Sequence, residues 1–241
     1  MAPHKKSLYA TINIFLQDVK NLFKDEIISV VLFGSAARGD YIAKKSDINF
    51  LVVLNDQAMN RLAEVLVYIG KWTKRGISTP LFLSEHYITT STDAFPIEFL
   101  SLKLHHKLLF GKDILSALEI ADSYLRLKCE EQIKSKLLHL REDFLHTRGK
   151  KYMMRQLLIQ TVPTLASIFS ALIVLKKEIV PAGKEAIMMN TARLFGLKEA
   201  VFQQVLDLRA GSAKLSQKQL TSLLQSYIDE LAKLTDVIDQ W

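Results

Sequence analysis

The chain has 241 residues, of which 49% are hydrophobic and 24% charged, with only 9 Gly and 5 Pro, and its net charge is +7. That composition excludes a disordered or fibrous chain and supplies the core of one large domain or two small ones. The single cysteine, Cys129, excludes an internal disulfide and a cysteine-built metal site, and a reducing cytoplasm is the expected compartment.

The segment Met1 to Lys24 carries charges at Lys5, Lys6, Asp18 and Lys20 and lacks the apolar run of a secretory signal. Within it, residues 8–24 place apolar side chains three and four apart, which predicts an amphipathic helix. Ile27 to Phe33 is a β-branched apolar run ending at Gly34, and Ile48 to Leu54 is a second one stopped by Asn55-Asp56. Both read as buried strands. Residues 57–74 return to helical spacing and stop at Gly76, Ser78 to Leu83 is a weaker strand candidate, and residues 97–109 look helical before Phe110-Gly111-Lys112 closes the region. After Lys112 only helical patterns occur, broken near Arg148-Gly149, Pro181-Ala182-Gly183 and Ala210-Gly211-Ser212. The most apolar stretch, Leu165 to Leu175, falls short of the roughly 20 residues that span a bilayer, so a buried helix is expected and no membrane partner. The predicted architecture is an α/β (α+β) domain with a short mixed sheet over residues 1–112, then an all-α helical bundle over residues 113–241.

Chemistry concentrates in Leu32-Phe33-Gly34-Ser35-Ala36-Ala37-Arg38-Gly39-Asp40 and Ser46-Asp47-Ile48-Asn49-Phe50. A buried strand feeds a turn of small residues whose backbone N–H groups can approach a phosphate closely. In the second strand, residues two apart share a face, so Asp47 and Asn49 address one site while Ile48 and Phe50 face the core. Gly34 and Gly39 have the spacing of a Walker A loop, but Asp40-Tyr41 replaces its Lys-Ser/Thr pair, and Ala36 breaks a dinucleotide fingerprint. Neither motif is present.

The stretch resembles the signature of the polymerase-β-like nucleotidyltransferases: Gly-Ser after a strand, then Asp-x-Asp opening the next. Here Gly34-Ser35 is followed by Ser46 and Asp47-Ile48-Asn49, and Leu109-Phe110-Gly111-Lys112-Asp113 is similar to the family's closing Leu-x-Gly-x-Asp. The helical remainder resembles, in general character, the substrate-side bundle of the antibiotic nucleotidyltransferases. The resemblance implies Mg²⁺-dependent transfer of a nucleoside monophosphate from an NTP, such as ATP, to a hydroxyl of an unidentified acceptor. It places Gly34, Ser35, Arg38 and Ser46 at the nucleotide, and Asp47 and Asn49 at the metal and the chemistry.

Two departures weaken that expectation. Asn49 replaces the second carboxylate, and the third strand offers Thr79 or Pro80 where an acid belongs, with Glu85 and Glu98 as distant substitutes. Two unit charges about 4 Å apart interact by about 4 kcal/mol at an effective dielectric near 20. Losing two carboxylates beside divalent ions can therefore cost several powers of ten in metal affinity or rate. Mg²⁺ is expected to bind weakly or not at all, and the alternative is a degenerate nucleotide-binding or protein-interaction module.

Other features carry less. Lys44 and Lys45 flank the site and can meet phosphates or simply be solvated. Lys134 to Arg155 holds seven basic residues against Glu142 and Asp143, a solvated helix face or, less favoured, a nucleic-acid surface. His105-His106, taken as helical, diverge by about 100°, and His139 and His146 lack acidic partners, so neither pair has zinc spacing. The resemblance implies an acceptor-activating acid in the bundle, and Glu130, Glu131, Glu142 and Asp143 are equal candidates. Met153-Met154 and Met188-Met189 read as core filler. A homodimer is compatible with all of this.

Overall fold

The computed structural model describes residues 3–39, 41–42 and 46–241, with side chains from Leu8 onward. Asp40, Lys44 and Lys45 therefore lie outside the described residues. The chain divides into two compact units, Met1–Ile120 and Ala121–Trp241.

The first unit opens with helix α1, Pro3–Phe23, which buries Ile12, Phe15, Val19 and Phe23 at helical spacing. Strands β1 (Ile27–Phe33), β2 (Asn49–Leu54), β3 (Leu81–Ser84) and β4 (His106–Gly111) form one sheet in the order β3-β2-β1-β4. β1 pairs antiparallel with both β2 and β4, whereas β2 and β3 run parallel. The sheet is thus mixed, as the sequence led one to expect.

Strand alternation divides the core. Val30, Leu32, Phe50 and Val52 join α1 and Trp72 on one face. Phe15 stacks on Phe50 at 3.9 Å and meets Trp72 edge-on at 4.8 Å, and the Trp72 indole donates to Asp18 at 2.9 Å. Val31, Leu51 and Val53 face the other way, against α4 (Glu85–Thr90), α5 (Pro96–Leu104) and Ile114, Leu115 and Leu118. That second cluster explains why residues 113–120 belong to the first unit: their apolar side chains complete its core.

Three expectations change. The helical stretch 57–74 is a 3₁₀ segment, Ala58–Val65, followed by the short helix α3, Leu66–Thr73. The third strand begins at Leu81 rather than Ser78. Residues 97–109 are not one helix: α5 ends at Leu104 and β4 follows as the outer strand beside β1. A short apolar run fits either period, and backbone partners on β1 decide this one. His106 accordingly stands in a strand. Its ring bonds Asp113 at 3.0 Å and the Leu102 carbonyl at 3.0 Å, so the helical divergence of the histidine pair does not apply.

In the second unit the described helices are α6 (Asp122–His146), α7 (Lys151–Leu175), α8 (Lys184–Leu194), α9 (Glu199–Ala210) and α10 (Gln217–Asp239). The three predicted breaks separate α6 from α7, α7 from α8 and α9 from α10. A fourth, at Gly196, divides α8 from α9. α6 buries Leu125, Cys129, Ile133, Leu137 and Leu140 along one stripe. α7 is long and apolar enough by composition to cross a membrane, yet half of its most apolar window is buried inside the structure. Leu165, Ile168, Phe169, Leu172 and Ile173 are among the interior side chains, as expected of a core helix. α10 starts with a capping box, in which the Ser216 hydroxyl and Gln219 each satisfy the other's backbone amide.

Candidate nucleotide site

β1 delivers the chain to Gly34 (φ 73°, ψ −149°), a conformation that L side chains rarely adopt. One helical turn, α2 (Ser35–Arg38), follows directly, with the amides of Ala37 and Arg38 donating to the Gly34 carbonyl at 3.2 and 3.1 Å. The amides of Ser35 and Ala36 open this turn and so have no preceding-turn carbonyl to bond. Gly34, Ser35 and Ala36 are half-buried and Arg38 is exposed.

The second part of the motif returns beside this turn, because β2 pairs antiparallel with β1 and sets Asn49 opposite Phe33. Asp47 is exposed, Asn49 half-buried, and Ile48 and Phe50 fully buried, so the two-residue alternation read from the sequence holds. Ser46 bonds within its own loop. Its hydroxyl accepts from the Ile42 amide at 3.1 Å, and its amide donates to the Ile42 carbonyl at 2.8 Å.

Asn49 sits between two neighbours. Its Oδ1 accepts a hydrogen bond from the Ser78 hydroxyl at 2.8 Å. Its Nδ2 lies against Gly34 so closely that a Cβ there would approach it to 2.9 Å. Gly34 is therefore required by its backbone angle, and the Asn49 amide packs directly against it.

Ser78 was not among the sequence candidates. Ile48 bridges Ile77, whereas Leu51 pairs with Leu81, so three residues on one side match four on the other. The extra residue shifts the register and brings Ser78, in place of Thr79 or Pro80, beside Asn49. A bulge next to Pro80, which has no N–H to give a ladder, leaves little trace in residue patterning.

Glu85 lies far from Asn49. Ser84 pairs with Leu54, at the opposite end of β2 from Asn49. Glu85, which follows it, is thus about 16 Å along the strand direction at roughly 3.3 Å per residue, and is ion-paired with Lys112. Glu98 is exposed on α5. In the second unit Glu130 is held by Arg126 at 3.0 Å and Lys134 at 2.8 Å, Glu131 by Lys128 at 2.8 Å, and Glu142 lies 3.6 Å from His139, so that histidine does have an acidic neighbour, contrary to expectation. Among the described residues, no group of three or more His, Cys, Asp and Glu comes together as a metal site.

The closing Leu109 to Asp113 segment is structural. A Cβ on Gly111 would stand 2.1 Å from the Ile28 carbonyl oxygen. Asp113 accepts from the Ser116 amide at 3.0 Å and hydroxyl at 2.7 Å, and from His106. Burial pushes its carboxyl upward, but the bonds from Ser116 and His106 outweigh this, and it rests below the usual aspartate range.

Comparisons with known proteins agree with this geometry. A family model described as "Nucleotidyltransferase domain" matches residues 12–162. No curated protein matches the chain significantly. The fold is similar to that of spectinomycin adenyltransferase AAD(9) from Enterococcus faecialis, solved with ATP and spectinomycin, with a TM-score of 0.56 and 14% identity over 93% of this chain and 99% of that one. At that identity the likeness concerns the fold, and it extends beyond the first unit. With the family model spanning more than half of its length, the chain belongs to the nucleotidyltransferase-domain family, within the polymerase-β-like superfamily.

Proposed function

We propose that the chain binds a nucleoside triphosphate at the Gly34–Arg38 turn and transfers its nucleoside monophosphate to a hydroxyl of a small molecule. The observation that carries this reading is the close approach of the Gly34-Ser35 turn and the Asp47–Asn49 end of β2. Backbone amides at the turn orient the phosphates, and the exposed Arg38 guanidinium is within the same loop to meet an outer phosphate. Attack by the acceptor hydroxyl on the α-phosphorus forms the new phosphoester bond and breaks the α–β bridge, releasing pyrophosphate. The similar adenyltransferase, solved with ATP and spectinomycin, supports a hydroxylated small molecule as acceptor.

Among the described residues, the donor set does not fit a two-metal centre: it holds one carboxylate, Asp47, and an amide whose oxygen already accepts from Ser78. It suits at most one Mg²⁺ carried on the triphosphate, since that ion keeps several waters and needs only one or two carboxylates. When bound, the ion would neutralise phosphate charge. The Asn49–Ser78 bond also favours a second reading, a protein that binds nucleotide with little or no transfer.

Calorimetric titration with ATP, GTP, CTP and UTP, with and without Mg²⁺, tests the site. Binding to the native chain that weakens in Asp47→Ala is the expected outcome, and absence of binding by every nucleotide in both conditions would sink the proposal. Pyrophosphate release in the presence of polyhydroxylated acceptors then separates transfer from binding alone.

A further inference from the structure

We infer that Asn49 is a phosphate-contacting hydrogen-bond donor, held by Ser78, and not a metal ligand. The inference rests on the nucleotide site proposed above and assigns its chemistry. An asparagine can serve a cation only through its carbonyl oxygen, whereas its NH₂ group only donates. Here the two ends are distinguished by their surroundings. The oxygen faces Ser78, whose hydroxyl donates to it at 2.8 Å. The nitrogen faces Gly34, where a Cβ would come within 2.9 Å of it.

Ser78 is itself fixed. Its amide donates to the Ile48 carbonyl at 3.1 Å, and its hydroxyl lies 3.3 Å from the same oxygen. The serine is therefore tied to the strand that carries Asn49, and its hydroxyl, donating to Oδ1, holds the amide with Nδ2 toward the turn. The observed orientation adds two N–H donors to a turn already lined with backbone amides. Donors of this kind suit phosphate oxygens and repel a cation. The second acidic position of the metal site has thus become part of the anion site, and Ser78, in the neighbourhood of the missing third acid, is its positioning residue.

The test is nucleotide binding measured by calorimetry in Mg²⁺ and, separately, in EDTA, for the native chain and for Asn49→Ala, Asn49→Asp and Ser78→Ala, each checked for native melting. A phosphate donor predicts that Asn49→Ala weakens ATP binding about tenfold, the scale of one charge-assisted hydrogen bond, and equally in both conditions. Asn49→Asp should weaken binding in EDTA by more, because it replaces a donor with a negative charge. Ser78→Ala should lose less than Asn49→Ala, again without regard to Mg²⁺. If Asn49→Ala loses affinity only in Mg²⁺, or not at all, Asn49 is not the donor and the inference is overturned while the nucleotide site stands. If the native chain binds no nucleotide in either condition, the site itself is refuted.

Discussion

Gly111 illustrates how one residue of the family-like closing segment works. With φ at 80° and the Ile28 carbonyl oxygen only 2.1 Å from where a Cβ would stand, the position admits no side chain without moving β1. The obstacle is backbone, so it cannot rotate away. Gly111→Ala is expected to cost more than about 2 kcal/mol, combining a strained left-handed residue with a displaced strand. Chemical denaturation would check this, and an unchanged midpoint would refute it. Gly34 is constrained by its angle in the same way, but the atom it meets belongs to a side chain, Asn49, so its role is tied to the site. The glycine spacing made both residues visible in the sequence. What each glycine touches was not visible, because the contacts lie on strands far away in the chain.

At the scale of elements, two connections are held by carboxylates. Asp113 closes the turn after β4, joining Ser116 and His106. Its pKa lies below that of the unfolded chain, so its contribution is present above the ordinary aspartate value, near 4, and is lost as pH falls through the lower folded value. Asp113→Asn should therefore destabilise the protein at neutral pH, and its melting temperature should converge on that of the native chain in strongly acidic buffer. A constant gap across the whole range would contradict the assignment. In the second unit, Glu230 on α10 is only 4% exposed and accepts from the Lys198 amide at 2.9 Å, just ahead of α9. Lys198 Nζ stands 3.7 Å from its other oxygen. Removing this acceptor leaves the Lys198 amide at the start of α9 without its side-chain partner, so Glu230→Ala should lower stability by about 1 kcal/mol in urea unfolding. Glu230→Gln, which keeps an acceptor, should lose less. Neither carboxylate was distinctive in the sequence, because each serves a backbone group whose position only packing reveals.

At the scale of the whole chain, the second unit keeps its single thiol inside. Cys129 lies on the buried stripe of α6, and burial pushes it up to about 12. The thiolate is the reactive form, so Cys129 should resist an exposed-thiol reagent at pH 8 in the native protein and react fully in denaturant. Rapid native labelling would show that the α6 packing opens readily. Legible in the sequence were β1, the alternation of Asp47, Ile48, Asn49 and Phe50, and the change to an all-helical second half. Those features depend on local periodicity and on residue types that dictate backbone geometry, which one segment carries by itself. The sheet order, the conversion of residues 106–111 to an outer strand and the attachment of residues 113–120 to the first unit came only from the tertiary structure. So did the bulge that sets Ser78 rather than Thr79 or Pro80 beside Asn49. Each of these depends on hydrogen-bond partners or apolar faces supplied by remote segments. The sequence showed that Asn49 lacks the charge of an acid, and the fold decided which end of its amide faces the Gly34 turn.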